Sequence, residues 1–248
     1  MYHLEIRGNG SGPGPSYLFV HGLPCDRRCW EPLARYAPAD ARLLLVDLPD
    51  SGRADDERSC DVRVLEDAVV ACVGRAGDGE LTLVGSSFGA HLVARLLARL
   101  NRRVTRAVLL GGWATLPAEE LDACLDAIGG LSCGRLDLAD LRTLTIDEWL
   151  GDAQDTELVR LADQLMAGLT RERAIRAMKR LASSARGAVP RWETPTVLVR
   201  SSADPVLPAS CADDLATLTR DPELVVLDTT SHVPHVTDPA ALAPIVFA

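Results

Sequence analysis

The segment Leu81–Gly89, Leu-Thr-Leu-Val-Gly-Ser-Ser-Phe-Gly, constrains the fold of this chain more than any other. An apolar run typical of a buried strand leads into Gly85-Ser-Ser-Phe-Gly89, and helix-period apolar positions follow. A Gly-x-Ser-x-Gly pattern in this context holds its central serine in a strained turn that exposes the hydroxyl. Side chains in place of the two glycines would collide with the neighbouring strand and helix. The spacing therefore predicts a strand, a sharp turn and a helix, with Ser87 rather than Ser86 as a nucleophile.

Apolar strand-like runs alternate with amphipathic helical segments along most of the chain. Further strands are predicted at 2–7, 16–20, 42–47, 104–110, 195–200 and 223–228, and helices at 30–36, 61–73, 88–100, 208–218 and 239–246. Continuous apolar strands of this kind are typical of a mostly parallel sheet that helices cover on both faces. From about 114 to 191 the periodicity is helical throughout, with helices predicted at 121–128, 156–169 and 171–182. We therefore predict an α/β fold divided into a core (1–113), a helical cap insertion (114–191) and the remainder of the core (192–248).

The composition argues against several classes of protein. The net charge of -9 disfavours binding to nucleic acid or to an anionic membrane, both of which need clustered basic surface. No apolar run is long enough to span a bilayer, and the first residues do not resemble a secretory signal, so we expect a cytoplasmic protein. The seven scattered cysteines predict reduced thiols, and because no second pair joins Cys25 and Cys29, we expect no metal. Oligomeric state is not indicated.

Several chemically distinctive side chains each follow a predicted strand: His21, Asp47, Ser87, Trp113, Asp204 and His232. In open parallel sheets, ligands bind beyond the carboxyl ends of the strands, so these side chains are expected at one rim. A serine nucleophile needs a base within hydrogen-bond reach and a carboxylate that holds the base in the correct tautomer. Ser87, Asp204 and His232 are residues of the three required types.

With these motifs, the chain resembles an α/β-hydrolase with a helical cap. The matching segments are His21-Gly22 with Trp30, Asp47-Leu-Pro with Gly52, Gly85–Gly89, Asp204-Pro-Val-Leu-Pro208, and Ser231-His-Val-Pro-His235 with Pro239. The resemblance extends from about residue 17 to the C-terminus. It implies a triad of Ser87, Asp204 and His232, in the chain order of that fold. It also implies an oxyanion hole made by the backbone N–H groups of Leu23 and Phe88.

Some positions have a second interpretation. His235 is a rival to His232 as the base, although the second histidine of this pattern is commonly a packing residue. His21 more often orders its loop than acts as a base. The other usual position for the acid, after the strand ending at Leu110, has no carboxylate, which favours Asp204. The chain departs from the family at Ser231 and Asp50, where glycine is usual.

The expected function is a serine hydrolase that cleaves an ester, lactone or thioester of a small, mostly apolar molecule through an acyl-enzyme on Ser87. Trp113 and His21 are expected to contact this small-molecule acyl substrate, and no cofactor is expected. Trp149 and Met166 are candidate pocket residues whose helical spacing equally suits a core position. The same triad would also suit acyl transfer, cyclisation or carbon–carbon bond cleavage, and a ligand-binding relative without turnover is a further alternative.

Overall fold

The computed structural model describes residues 1–8, 14–54, 61–100, 102–185 and 188–248. These residues form one seven-stranded β-sheet. Its strands are β1 (His3–Arg7), β2 (Ser16–Val20), β3 (Arg42–Asp47), β4 (Leu81–Ser86), β5 (Arg106–Leu110), β6 (Thr196–Ser201) and β7 (Glu223–Leu227). Across the sheet their order is β1-β3-β2-β4-β5-β6-β7. Only β1 runs antiparallel to its neighbour. The mostly parallel sheet predicted from the sequence is confirmed.

Helices flank this sheet along the whole described chain. They are α1 (Glu31–Ala34), α2 (Val62–Val73), α3 (Phe88–Leu100), α4 (Ala118–Cys133), α5 (Leu138–Leu150), α6 (Thr156–Met166), α7 (Arg171–Ser184), α8 (Ser210–Ala216), α9 (Pro234–Thr237) and α10 (Pro239–Val246). Four of them, α4 to α7, lie between β5 and β6, and we call these the cap helices. The exact boundaries of the three predicted stretches, 1–113, 114–191 and 192–248, stay a prediction.

The central strands are buried on both faces, which explains their continuous apolar sequences. In β2, Leu18 and Val20 face a core that includes Leu92 of α3. Phe19, pointing the opposite way because side chains alternate along a strand, faces a second core with Trp30. Each strand from β2 to β6 contributes side chains to both cores, so the two cores share one framework.

The sequence periodicity predicts three helices between residues 114 and 191, whereas the described residues of this stretch form four. The periodicity misses α5 because its apolar side chains are not confined to one face: Leu141 and Trp149 are buried, whereas Leu144 is 54% exposed. A local signal for α5 does exist at Asp137. Its carboxylate accepts a hydrogen bond from the backbone N–H of Ala139, as an N-cap residue does.

Two core segments differ from the predicted elements at proline residues. The predicted helix 30–36 is instead a 3₁₀ turn at Arg27–Trp30 followed by the short α1, which has Pro32 in its first turn. The predicted loop after β7 contains the short helix α9, which begins at Pro234. Proline suits the first turn of a helix because it lacks the N–H that has no partner there.

The described residues contain neither a membrane-spanning helix nor a cluster of metal-ligating side chains. No described helix is long and apolar enough to cross a membrane. Within the same ranges, no group of three or more His, Cys, Asp or Glu side chains is placed to hold a metal ion. Cys25 and Cys29 are among the free thiols, and Cys60 lies outside the described residues.

Close packing where β4 meets α3 requires the two glycines of the turn. A Cβ atom at Gly89 would lie 2.1 Å from the carbonyl oxygen of Val20 in the neighbouring strand. A Cβ atom at Gly85 would lie 2.7 Å from both the backbone nitrogen and the Cα of Ala90. Any side chain at either position would push the helix away from the sheet.

Replacing Gly89 with alanine should therefore destabilise the fold, whereas the same change in an open helical position should not. We expect Gly89→Ala to lower the free energy of unfolding by roughly 1 to 3 kcal/mol, measured by urea denaturation. Gly129 in α4 has no atom within 4 Å of its Cβ position. Gly129→Ala should raise the free energy of unfolding by up to about 1 kcal/mol, because alanine favours helix. Equal effects of the two changes would contradict the packing argument.

Candidate active site

Ser87 stands at the turn between β4 and α3 in a conformation unusual for a residue with a side chain. Its φ angle is 53°, and such left-handed backbone costs about 1 to 3 kcal/mol outside glycine. The turn is held by the Ser87 N–H, which donates to the Leu110 carbonyl at 2.8 Å, and by the Ser87 carbonyl, which accepts from His91 N–H at 3.1 Å. Ser87 is partly exposed, whereas Ser86 is 1% exposed. Only the serine selected by the glycine spacing is accessible to a ligand.

His232 and Asp204, from the loops after β7 and β6, form a buried hydrogen-bonded pair. The Nδ1 atom of His232 lies 2.9 Å from Oδ2 and 3.0 Å from Oδ1 of Asp204. The carboxylate also accepts hydrogen bonds from the backbone N–H groups of Val206 and Leu207, at 2.9 and 3.0 Å. Burial alone would raise the pKa of Asp204, but His232 and these N–H groups outweigh it, and the pKa is lowered. An ionised carboxylate only accepts hydrogen bonds, so the imidazole proton lies on Nδ1 and Nε2 is available as a base.

The alternative position for the acid, after β5, is occupied by a glycine that packs beside this pair. Gly111 has a φ angle of 52°, and a Cβ atom there would lie 3.3 Å from Cε1 of His232. The same Cβ would be 3.6 Å from Oδ2 of Asp204. This glycine therefore leaves room for the imidazole and its carboxylate partner.

His21 is fully buried and both of its ring nitrogens are engaged by backbone atoms. Nδ1 donates to the carbonyl of Gly22 at 2.7 Å, and Nε2 accepts from the N–H of Leu48 at 3.1 Å. Burial lowers the pKa of His21, so the ring is neutral. The structure does not bring His21 to the surface of any described cavity that also contains Ser87. These two hydrogen bonds suit a residue that orders its loop, and contact between His21 and a substrate stays a prediction.

His235 is a packing residue in this structure. Its ring lies against the indole of Trp30, with 4.3 Å between the ring centroids. Burial lowers the pKa of His235 to about 3, with smaller effects from His232 and His21. No carboxylate of a described residue contacts its ring, which sets it apart from His232.

A cavity of about 480 Å³ opens between the core and the cap helices, and Ser87 and His232 both line it. Most of the remaining wall is apolar: Leu23, Trp113, Cys124, Leu141, Trp149, Met178, Leu181 and Leu207. Trp113 and Trp149 are thus placed at the cavity, as the sequence predicts for pocket residues. Met166 instead packs in the core beneath the cap helices. The indole of Trp113 is held by His91, whose ring stacks on it at 5.3 Å.

Two backbone N–H groups beside Ser87 have no hydrogen-bond acceptor among the described residues, those of Leu23 and Phe88. Gly22 brings the first of these loops close to the serine. A Cβ atom at Gly22 would lie 3.0 Å from the Cβ and 3.5 Å from the Oγ of Ser87. Free N–H groups this near a nucleophile are suited to binding an oxyanion.

Sequence reasoning missed Asp126 and Arg135 in the cavity wall, whose charges are opposite, and it also missed two glutamates there, Glu120 of α4 and Glu148 of α5. Neither side chain has a hydrogen bond or ion pair with another described residue. Partial burial raises the pKa of Glu120, and the charge of Glu148 raises it further. Partial burial also raises the pKa of Glu148, with His232 acting in the opposite direction. Nothing in the sequence distinguishes these glutamates from the other acidic residues of the same helices, such as Glu119 and Asp147.

Comparison with known proteins agrees with this architecture. The chain is 22% identical to a pimeloyl-[acyl-carrier protein] methyl ester esterase of Vibrio cholerae, over 93% of this chain and 92% of the esterase. It is 28% identical to lipase LipV of Mycobacterium tuberculosis over 125 residues, which are 50% of this chain and 48% of the lipase. The crystal structure of the enol-lactonase from Burkholderia xenovorans LB400 has a TM-score of 0.87 at 18% identity, covering 99% of this chain and 94% of the lactonase.

The fold predicted from the sequence is confirmed by these likenesses and by a match to a described family. Residues 17–245 match the alpha/beta hydrolase family. This range includes the strand–turn–helix at Ser87, the loops of Asp204 and His232, and all four cap helices. The chain belongs to the alpha/beta hydrolase family.

Proposed function

We propose that this protein is a serine hydrolase that cleaves an ester, lactone or thioester of a small, mostly apolar molecule. One observation carries the proposal: a partly exposed serine in a strained turn lines the same cavity as a histidine hydrogen-bonded to a buried carboxylate. Such an arrangement suits nucleophilic catalysis at a carbonyl carbon. Its esterase relatives and the structural likeness to a lactonase support this reaction class.

In the proposed reaction, Ser87 Oγ attacks the substrate carbonyl carbon while its proton passes to Nε2 of His232. The carbonyl π electrons move to oxygen, and the N–H groups of Leu23 and Phe88 bind the resulting oxyanion. The tetrahedral intermediate collapses, the bond to the leaving oxygen or sulfur breaks, and His232 returns the proton to that atom. Water then attacks the acyl-enzyme by the same route and releases the acid. Asp204 stabilises the imidazolium in both steps.

The cavity wall favours a neutral or positively charged substrate over an anionic one. Its apolar side chains suit an alkyl or aromatic acyl chain. The carboxylates Glu120, Glu148 and Asp126 outnumber Arg135, the one arginine or lysine among the described residues that line the cavity. Neither glutamate is ion-paired with a described residue, so an anionic group on the substrate would be repelled. The proposed substrate is therefore an ester, lactone or thioester whose acyl chain lacks a free carboxylate.

Covalent labelling with a fluorophosphonate probe tests the nucleophile. The wild-type protein should form one adduct, Ser87→Ala should form none, and the matched variant Ser86→Ala should still be labelled, because Ser86 is buried. Intact mass and peptide mass spectrometry measure the adduct and its position. Labelling of Ser87→Ala would show that another residue is the nucleophile.

Replacing Asp204 with asparagine tests the tautomer argument. Asparagine can still accept from the N–H groups of Val206 and Leu207, but its amide would no longer hold the proton on Nδ1 of His232. We expect kcat for a p-nitrophenyl ester to fall by about 10⁴-fold, as in the best-studied triad. Circular dichroism should show an unchanged fold. Activity near that of the wild type would move the acid to another residue.

The two cavity glutamates should control selectivity between esters of different charge. We compare kcat/KM for a p-nitrophenyl ester whose acyl chain ends in a methyl group with that for one ending in a carboxylate. Glu120→Gln with Glu148→Gln should raise the relative kcat/KM of the anionic ester by about tenfold.

The ratio of kcat/KM for the anionic ester to kcat/KM for the neutral ester should also change with pH. In the wild type, lowering the pH through the raised pKa values of Glu120 and Glu148 protonates them, so the anionic ester should gain relative to the neutral one. The double variant should lack this gain. The neighbouring Glu119, which does not line the cavity, is the control, and Glu119→Gln should behave as the wild type. An unchanged ratio in the double variant would contradict the proposed charge selection.

A further inference from the structure

The turn after β3 contains an aspartate in a conformation that favours glycine. Asp50 has a φ angle of 67°, and only 1% of its side chain is exposed. A buried carboxylate is costly unless cations or hydrogen-bond donors surround it. Asp50, which stands where the family usually has glycine, therefore needs cationic or hydrogen-bonding partners.

Among the described residues, the arginines at Asp50 all come from one cap helix, α7. Arg176 binds the carboxylate with two nitrogens, Nε to Oδ2 at 2.6 Å and Nη2 to Oδ1 at 2.9 Å. Nη1 of Arg180 lies 3.4 Å from Oδ2, and Nε of Arg173 lies 3.6 Å from Oδ1. Residues spaced by three and four lie on one face of a helix, so a single face of α7 is bound to the turn after β3.

The same helix lines the cavity of about 480 Å³ that contains Ser87 and His232. Met178 and Leu181 of α7 line it together with Ser87. Asp50 does not line that cavity; it lines a second one, of about 280 Å³, with Arg173 and Arg180. Leu23 and Pro24 line both cavities, and so lie between the Asp50 cluster and the serine.

We propose that Asp50 is a positioning residue: by holding the arginine face of α7 against the core, it sets the shape of the cavity that contains Ser87. It touches no reacting atom. Its effect on substrates passes through Met178 and Leu181, which move with α7, so it acts on long acyl chains that reach them. This effect on substrates rests on the proposed ester hydrolysis, whereas the hold on α7 does not.

Hydrogen–deuterium exchange tests the hold on α7 without any need for activity. Asp50→Asn keeps a residue that tolerates a positive φ angle but removes the charge, and should speed exchange of the amides of Arg171–Ser184 by about tenfold. Arg176→Gln, which leaves Arg173 and Arg180 at the carboxylate, should give a smaller increase of the same kind, and Arg176→Lys a smaller one still. Exchange in β4 should not change. Unchanged exchange in α7, or an equal rise in α7 and β4, would overturn the proposal.

A second ion pair within the cap helices supplies the matched control. Arg142 of α5 binds Asp163 of α6 at 2.6 Å, and this pair is more exposed. Arg142→Gln removes one cap arginine but no contact to the core, so exchange in α7 should match that of the wild type. A rise equal to that of Arg176→Gln would show that any lost cap ion pair loosens α7, and would also overturn the proposal.

Ester kinetics test the effect on the cavity. For an octanoyl p-nitrophenyl ester, Asp50→Asn and Arg176→Gln should lower kcat/KM by about tenfold, mainly through KM, while the acetyl ester changes by less than about twofold. Equal losses for both esters, or none, would overturn the effect on the cavity. If the wild type hydrolyses neither ester, the proposed function fails, and the exchange measurement still decides whether Asp50 holds α7.

Discussion

The close approach of α3 to the sheet is the constraint on which the rest of the structure depends. Gly89 leaves no room for a Cβ atom beside the Val20 carbonyl, and this contact forces the turn that sets Ser87 at a φ angle of 53°. β4 lies between β2 and β5, so the loops after these three strands meet around the serine. The first of these loops brings Leu23, and the last brings Gly111.

The four buried histidines near Ser87 differ in the charged and polar groups that surround them. Burial lowers the pKa values of His21, His91 and His235, and their rings serve as neutral packing or hydrogen-bonding groups. His232 is also buried, but it has Asp204 as a partner that stabilises its charged form. In the proposed mechanism, this single carboxylate makes one of four buried imidazoles a base.

Residues of the core and of the cap helices line the same cavity. The core supplies Ser87 and His232, while α4 and α5 supply the two glutamates and α7 supplies apolar wall. The buried Asp50 cluster joins the core to α7, so in our proposal a charge in the core is coupled to the wall of that cavity.

The local elements and their order follow from the pattern of amino acids along the chain. β2, β3 and α10 have the predicted bounds, and the strand–turn–helix at Ser87 is present, because side-chain periodicity and turn glycines act over neighbouring residues. That Glu120 and Glu148 face the cavity and that Asp50 binds Arg176 follows from the packing of the whole chain. These features depend on contacts between residues far apart in the chain, 126 positions in the last case. Periodicity carries no record of such contacts, since the same glutamate or arginine suits a solvent-facing helix equally well.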